Sequence, residues 1–203
     1  MRLDPIPRLQ ALLHAFKRFT GAAGLTDTQQ ERRGEAHPTT PISVVIANCR
    51  GDEAVARCLA AVLAQRLDPQ SFEVIVVDDT ASNEVREMVK ALTPVGGAPE
   101  VRYVRVDAGG PVAARNHGWR AANGVLIAFA DDRALPDPDW LAGGERAMRA
   151  GHVALGTSVC VPGSKKPTAE QWRQLQGESA FVRRDALESV GGFDERCATV
   201  QLS

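Results

Sequence analysis

The chain has 203 residues, 44% of them apolar and 24% charged, with a formal net charge of −1. That length holds one sizeable α/β core and a short extra arm; the near-neutral balance, with no stripe of Lys and Arg interleaved with aromatics, argues against a nucleic-acid binder. Cys49, Cys58, Cys160 and Cys197 form no C-x-x-C pair, and the four histidines are scattered, so a zinc site has little support and the cysteines read as free thiols of a reducing cytoplasm.

Residues 1–24 place Leu9, Leu12, Leu13, Phe16 and Phe19 at helical spacing, and Arg2, Arg8, Lys17 and Arg18 against Asp4 make this amphipathic arm net positive. Such an arm suits a membrane surface or a partner groove, or equally a helix docked on its own domain. A cytoplasmic location, peripheral to the inner face of the membrane through this arm, is the corresponding expectation. No run reaches the ~20 apolar residues of a membrane span, and the N-terminus lacks the apolar stretch of a secretory signal. Residues 25–41 (LTDTQQERRGEAHPTTP) are polar, end in prolines and read as a linker.

From Ile42 onward the texture alternates between apolar runs and helical patterns. Ile42, Val44, Val45 and Ile46 form a buried strand; a helix over Asp52–Leu67 carries Val55, Leu59, Val62 and Leu63 on one face. A strand at Val74–Val77, a helix around Glu84–Leu92 and a strand at Val101–Val106 follow. Then come a helix at Val112–Ala122, a strand at Val125–Phe129, a helix after Asp139, a strand at Val153–Val159 and a last helix at Arg184–Val190. Continuous Val/Ile strands alternating with amphipathic helices predict a mostly parallel, Rossmann-like α/β sheet with helices on both faces. Such sheets bind ligands beyond the carboxyl ends of their strands, so polar residues just after strands are the functional candidates.

The first strand ends in Ala47-Asn48-Cys49-Arg50, where Asn48 and Arg50 are plausible but unspecific ligand contacts. The second ends in Val77-Asp78-Asp79. Adjacent acids there either accept hydrogen bonds from a nucleobase or ribose or cap the next helix. The glycine turn Ala108-Gly109-Gly110-Pro111 leads into a helix whose N-terminus suits a phosphate, with Arg115 one turn in, or is a plain helix start. It is neither a G-x-G-x-x-G fingerprint nor a P-loop. The fourth strand runs directly into Asp131-Asp132-Arg133, the sharpest chemical feature of the chain. Two carboxylates there offer oxygen ligands to a hard divalent ion that would bridge a diphosphate leaving group, or form a solvated acidic turn.

Taken together, the stretches ISVVIANCR, FEVIVVDDTASN, GGPVAARNHGWRAANGVLIAFADDRALPDPDWL and SAFVRRDALESVGGFDER resemble the family 2 glycosyltransferases with the GT-A fold, in the family's order and over most of residues 42–196. The resemblance implies a domain over residues 42–203 that binds a nucleotide-diphosphate sugar and transfers the sugar, with inversion, to a hydroxyl of a glycan, lipid-linked or small-molecule acceptor. It places Asp79 at the base with Asp78 close by; Asn48, from its place at the end of the first strand, is counted with them as a donor-nucleotide contact. It puts Arg115 near the nucleotide or diphosphate, and gives Asp131 and Asp132 to ribose and a Mg²⁺ or Mn²⁺ ion. Gly191-Gly192-Phe193-Asp194-Glu195 matches the acceptor-side segment.

Three departures accompany the resemblance. Arg133 stands where family members often carry a further Asp, and either points away or replaces part of the metal's charge. The first strand reads Ala-Asn-Cys-Arg in place of a Pro-Thr-Tyr-Asn-like ending. The chain stops at Ser203, before the helix that would supply the catalytic base, which leaves Asp194, or Glu195, as candidate base and the truncation as an expectation. The alternative is therefore a non-catalytic or truncated relative that binds a nucleotide sugar or a partner without turnover. A sugar-phosphate nucleotidyltransferase would need a glycine-rich, Arg-containing loop after the first strand, which Asn48-Cys49-Arg50-Gly51 does not provide.

Overall fold

A computed structural model describes residues 41–49, 52–80, 83–92, 99–107, 109–156, 160–163, 165–175 and 179–196. The expected N-terminal arm, the linker up to Pro41, Arg50 and Cys197 lie outside the described residues. In chain order the elements are β1 (Ile42–Asn48), α1 (Asp52–Leu63), a 3-10 turn (Pro69–Ser71), β2 (Phe72–Asp78), α2 (Asn83–Leu92), β3 (Glu100–Arg105), α3 (Gly110–Ala121) and β4 (Leu126–Asp131). They continue with α4 (Trp140–Arg149), β5 (His152–Gly156), β6 (Cys160–Pro162), α5 (Ala169–Leu175), β7 (Ala180–Arg183) and α6 (Arg184–Val190).

β1 (ISVVIAN) and β2 (FEVIVVD) are buried at every position, as their unbroken β-branched runs require of strands covered on both faces. They lie at the heart of a seven-stranded sheet of order β3-β2-β1-β4-β7-β5-β6. The β3-β2-β1-β4 half is parallel; β7 runs antiparallel to β4, β5 to β7, and β6 to β5. The two-residue pleat sorts the side chains into two cores. Val44, Ile46, Val74, Val76, Ala128 and Ala130 pack with α1, α2 and Leu141 of α4. Val45, Ile75, Val77, Ile127 and Phe129 pack with α3, α6 and Leu175 of α5. The expected α/β sheet with helices on both faces is thus the observed architecture.

Close approach of α3 to the sheet depends on Gly118, because a Cβ there would collide with Val45 and Val77 side chains. This fixes the height of α3 relative to the strand ends, and with it the glycine turn that opens the helix.

Some boundaries moved. α1 stops at Leu63 instead of Leu67 because tertiary partners claim the next residues. Gln65 Nε2 donates to Asp137 O (2.7 Å), its Oε1 accepts from Leu141 N (2.9 Å), and Arg66 N donates to Pro138 O (2.9 Å). The strand expected over Val153–Val159 is β5, at His152–Gly156, with residues 157–159 outside the described set. β6, α5 and β7 had no counterpart in the sequence reading. β6 is three residues and β7 four, too short for a periodic signal, and β7 is specified by its edge-to-edge fit between β4 and β5.

Candidate functional site at the carboxyl ends of the parallel strands

The strand order turns back on itself at β1. β2 and β3 extend to one side, β4 to the other, so the crevice between the carboxyl ends of β1 and β4 is the topological switch point where open α/β sheets take their ligands. The register delivers the polar strand ends to this one place: Asn48 pairs with Asp78 across β1/β2, and Ala47 with Asp131 across β1/β4. Asn48, Asp78, Asp79, Asp131 and Asp132 therefore share one edge of the sheet.

Asp78 is fully buried and held by neutral donors. Its Oδ1 accepts from Asn48 Nδ2 (3.0 Å), Thr80 N (3.1 Å) and Thr80 Oγ1 (2.7 Å), and its Oδ2 from the Tyr103 hydroxyl (2.8 Å). Tyr103 stands on the neighbouring β3. Burial, the bond to Asp78 and that carboxylate's charge raise its phenol to about 12, because ionisation would remove the proton that Asp78 accepts.

Asp79 points across the crevice to α3. Its Oδ1 and Oδ2 accept from the amides of Gly109 (3.0 Å) and Gly110 (2.7 Å). The glycine turn is an anion site, as its helix-terminal position implies, and the anion on those two amides is the chain's own carboxylate. The capping alternative also takes an unforeseen form: Asp79 caps α3, thirty residues on, in place of α2.

Asp131 and Asp132 follow β4. Asp132 is buried, with Oδ2 accepting from the Cys49 amide (3.2 Å), which ties the end of β1 to the acid pair. Asp131 is more open, its side chain 25% exposed. Its Oδ1 accepts from Arg133 N (3.0 Å) and Arg133 Nε (3.2 Å). Burial alone would raise its pKa, but the two Arg133 hydrogen bonds and the guanidinium charge, with the adjoining Asp132 carboxyl, together lower it below the ordinary 3.8. Of the two outcomes open for Arg133, it is turned onto the acid pair and not away from it. Beneath, Cys58 donates its thiol to Asp131 O (3.3 Å); burial, then the charges of Asp132 and Asp131, push it to about 12, so it stays a protonated thiol.

Arg115 sits lower. It is buried, with one guanidinium nitrogen donating to Leu175 O (3.1 Å) and the guanidinium carbon 5.9 Å from the Phe129 ring centre. It belongs to the core between α3, β4 and α5, not to the mouth. The next residue, Asn116, carries no signal of its own in the sequence, where it is one more position of the helix. Its Oδ1 accepts from Phe193 N (2.9 Å) and Trp119 Nε1 (3.1 Å), and its Nδ2 donates to Phe193 O (2.9 Å) and Glu195 Oε1 (2.8 Å). All four valences of this buried amide are used, three of them to fasten the Gly-Gly-Phe-Asp-Glu segment to α3 and one within the helix, to Trp119. Gly192 lies at φ +97°, where a Cβ would meet Asn116 Oδ1 at 2.5 Å, so this pairing needs the glycine. Phe193 completes the seam edge-on to Phe129, two residues before Asp131.

Asp194 is exposed and paired with Arg196, which donates to it through Nε (2.9 Å) and a terminal nitrogen (3.0 Å). Those bonds and the charge hold its carboxyl below the usual range. Two further observations bear on alternatives. A cavity of about 530 Å³ opens at the opposite, amino ends of β1 and β4, but four of its charged lining residues pair with one another, Glu145 with Arg149 and Arg183 with Asp185, and Arg184 is tied to backbone carbonyls. Among the described residues there is no group of three or more His, Cys, Asp or Glu able to hold a metal, and no helix long and apolar enough to cross a membrane.

Solved structures share this architecture. TarS residues 1–349 of S. aureus align with a TM-score of 0.62 at 17% identity, over 79% of this chain and 52% of that one. The mannosyltransferase PcManGT of Pyrobaculum calidifontis, in complex with GDP-Man and Mn²⁺, aligns with a TM-score of 0.61 at 18% identity, over 94% and 56%. At such identities the likeness speaks for the fold alone: it is the GT-A type. In sequence, the glycosyltransferase AglE of Haloferax volcanii is 25% identical over 169 residues, 75% of this chain and 55% of that protein. The profile described as "Glycosyl transferase family 2" matches residues 43–197, and the chain belongs to that family. It spans about half the length of these relatives.

Proposed function

We propose that this chain forms the donor side of an inverting glycosyltransferase, taking a nucleotide-diphosphate sugar at the carboxyl ends of β1, β2 and β4. The observation that carries the reading is the convergence of Asn48, Asp78, Asp79, Asp131 and Asp132 on the switch point. Acceptors for base and ribose then line one wall, and the acid pair stands where a diphosphate would emerge. Asp79 is the base-side contact; Asp78, closed off by four donors, acts by fixing the turn that carries Asp79. Arg115 supports the site from the core, through Phe129 and Leu175. That TarS has been solved with UDP and UDP-GlcNAc, and PcManGT with GDP-Man, supports a nucleotide-sugar donor.

Asp131 and Asp132 fit a hard divalent ion in donor chemistry, being carboxylate oxygens at the mouth of a strand. Bound there, Mg²⁺ or Mn²⁺ would neutralise the diphosphate as a leaving group. In the transfer itself an acceptor hydroxyl oxygen bonds to the anomeric carbon as the bond from that carbon to the diphosphate oxygen breaks. The electron pair leaves on the nucleoside diphosphate, and the hydroxyl proton passes to a carboxylate. Asp194 on the acceptor-side segment is the candidate; its pairing with Arg196 makes it a weak base until that pair opens. The acceptor is a glycan, a lipid-linked sugar or a small molecule, with residues 1–24 as the peripheral membrane contact of a cytoplasmic protein.

The test is release of UDP or GDP from the corresponding sugar nucleotides by the purified chain with Mn²⁺, alongside Asp132→Ala. Metal-dependent release that the substitution abolishes supports the enzyme. Binding without release favours the second reading, a nucleotide-sugar-binding relative without turnover, for which the chain's weak candidate base speaks. Absence of both ends the donor-site reading.

A further inference from the structure

Arg133 holds a position at odds with a ready-made metal site. Its Nε and its backbone N–H both fall on Asp131 Oδ1, the carboxylate of the pair that faces outward, while Asp132 is buried and turned to the Cys49 amide. The guanidinium therefore covers the open half of the acid pair with the chain's own positive charge. Its side chain is 64% exposed, so little packing holds it there, and an exposed pair of this kind is weakly held.

We infer that Arg133 is a resident, displaceable counter-ion that competes with a divalent cation for Asp131 and stands in for it toward the donor diphosphate. The inference rests on the donor-site reading above and deepens it. Without metal, Arg133 neutralises one carboxylate through Nε, and its terminal nitrogens, which make no part of that contact, are of the kind suited to a diphosphate. A cation that binds Asp131 must first break the Arg133 contact and then sit beside a like charge. Both effects lower its affinity. At the reach of a guanidinium across a solvated carboxylate, repulsion between a single and a double positive charge amounts to roughly tenfold in a binding constant. Nucleotide binding by this chain should accordingly depend little on metal, and removing Arg133 should make it depend strongly.

The experiment is a paired titration of wild type, Arg133→Gln and Asp132→Asn. Mn²⁺ alone is followed by electron paramagnetic resonance, and UDP and GDP are followed calorimetrically in EDTA and in saturating Mn²⁺. The expected result is Mn²⁺ binding about tenfold tighter in Arg133→Gln than in wild type. Nucleotide affinity in EDTA should be several-fold weaker in that variant, with most of the loss restored by Mn²⁺. Equal or weaker Mn²⁺ binding by Arg133→Gln overturns the inference while leaving the donor site standing, provided nucleotide binds wild type and binds Asp132→Asn more weakly. If none of the three proteins binds nucleotide, the donor-site reading fails and the inference with it. Circular dichroism on each variant guards against misfolding, and Arg133→Lys, which keeps the charge without the planar fork, should hold Mn²⁺ affinity near the wild-type value.

Discussion

At the amino ends of the strands Glu73 is closed off on every side. Its Oε1 accepts from Ser43 Oγ (2.5 Å) and Asn123 N (2.6 Å), its Oε2 from Asn123 Nδ2 (3.2 Å) and from Arg102 (2.7 Å), whose charge balances it. At the carboxyl ends of the same strands, four aspartates gather beside the exposed guanidinium of Arg133, and two of the four look toward solvent or the crevice. One sheet thus buries carboxylates at both ends under different rules. Where charge and hydrogen bonds are balanced internally, the carboxylate serves the fold. Where acids gather partly exposed at a switch point, they stand where open α/β sheets take their ligands.

Substitutions at the two ends should separate these roles. Glu73→Ala strips four donors of their acceptor and leaves Arg102 only Ala121 O and the more distant Glu100; it should cost about 3 kcal/mol of unfolding free energy in urea. Nucleotide affinity per folded molecule should not move. A smaller loss would mean that the amino-end network is as loose as the site, and the contrast would fall. Asn116→Ala tests the seam between the two halves of the site. It leaves the Phe193 amide and the Trp119 indole N–H buried and unmatched, for about 2–3 kcal/mol, and should raise the hydrogen exchange of Phe193 and its neighbours above that of β1.

Tyr103→Phe should have the smallest effect, about 1 kcal/mol at neutral pH, and it carries a pH signature. The phenol is raised in the fold from 10.0 to about 12, so its contribution is complete below pH 10.0 and is lost as pH rises toward 12. The stability gap between wild type and Tyr103→Phe should therefore close across that interval. A gap independent of pH would show that Tyr103 does not hold Asp78 through its proton.

Much of this was legible in the sequence for a physical reason. Strands such as ISVVIAN and FEVIVVD admit only burial on both faces, and Asp78-Asp79 and Asp131-Asp132 directly after such runs can lie only at strand ends. What could not be read was which neighbours those ends would meet. Nothing local tells that Asp79 reaches the amides of Gly109 and Gly110, that Arg115 turns inward to Leu175 O, or that Asn116 clasps Phe193 and Glu195. These are contacts across 30, 60 and 77–79 residues. The adjacent glycines at 191 and 192, with Asn116 following Arg115 on the helix, were the available hint of the last. β7 escaped because four residues, AFVR, become a strand only when β4 and β5 flank them.

The central claim is that the carboxyl-end acids exist for a ligand and the amino-end carboxylate for the fold. The most direct test titrates UDP and GDP, with saturating Mn²⁺, into wild type, Asp132→Asn and Glu73→Gln, each checked for its folded fraction. One of the nucleotides should bind wild type and Glu73→Gln alike and bind Asp132→Asn about tenfold more weakly or worse, while the thermal stability of Asp132→Asn stays near that of wild type. Undiminished binding by Asp132→Asn, or a collapse of its stability with binding intact, would contradict the claim.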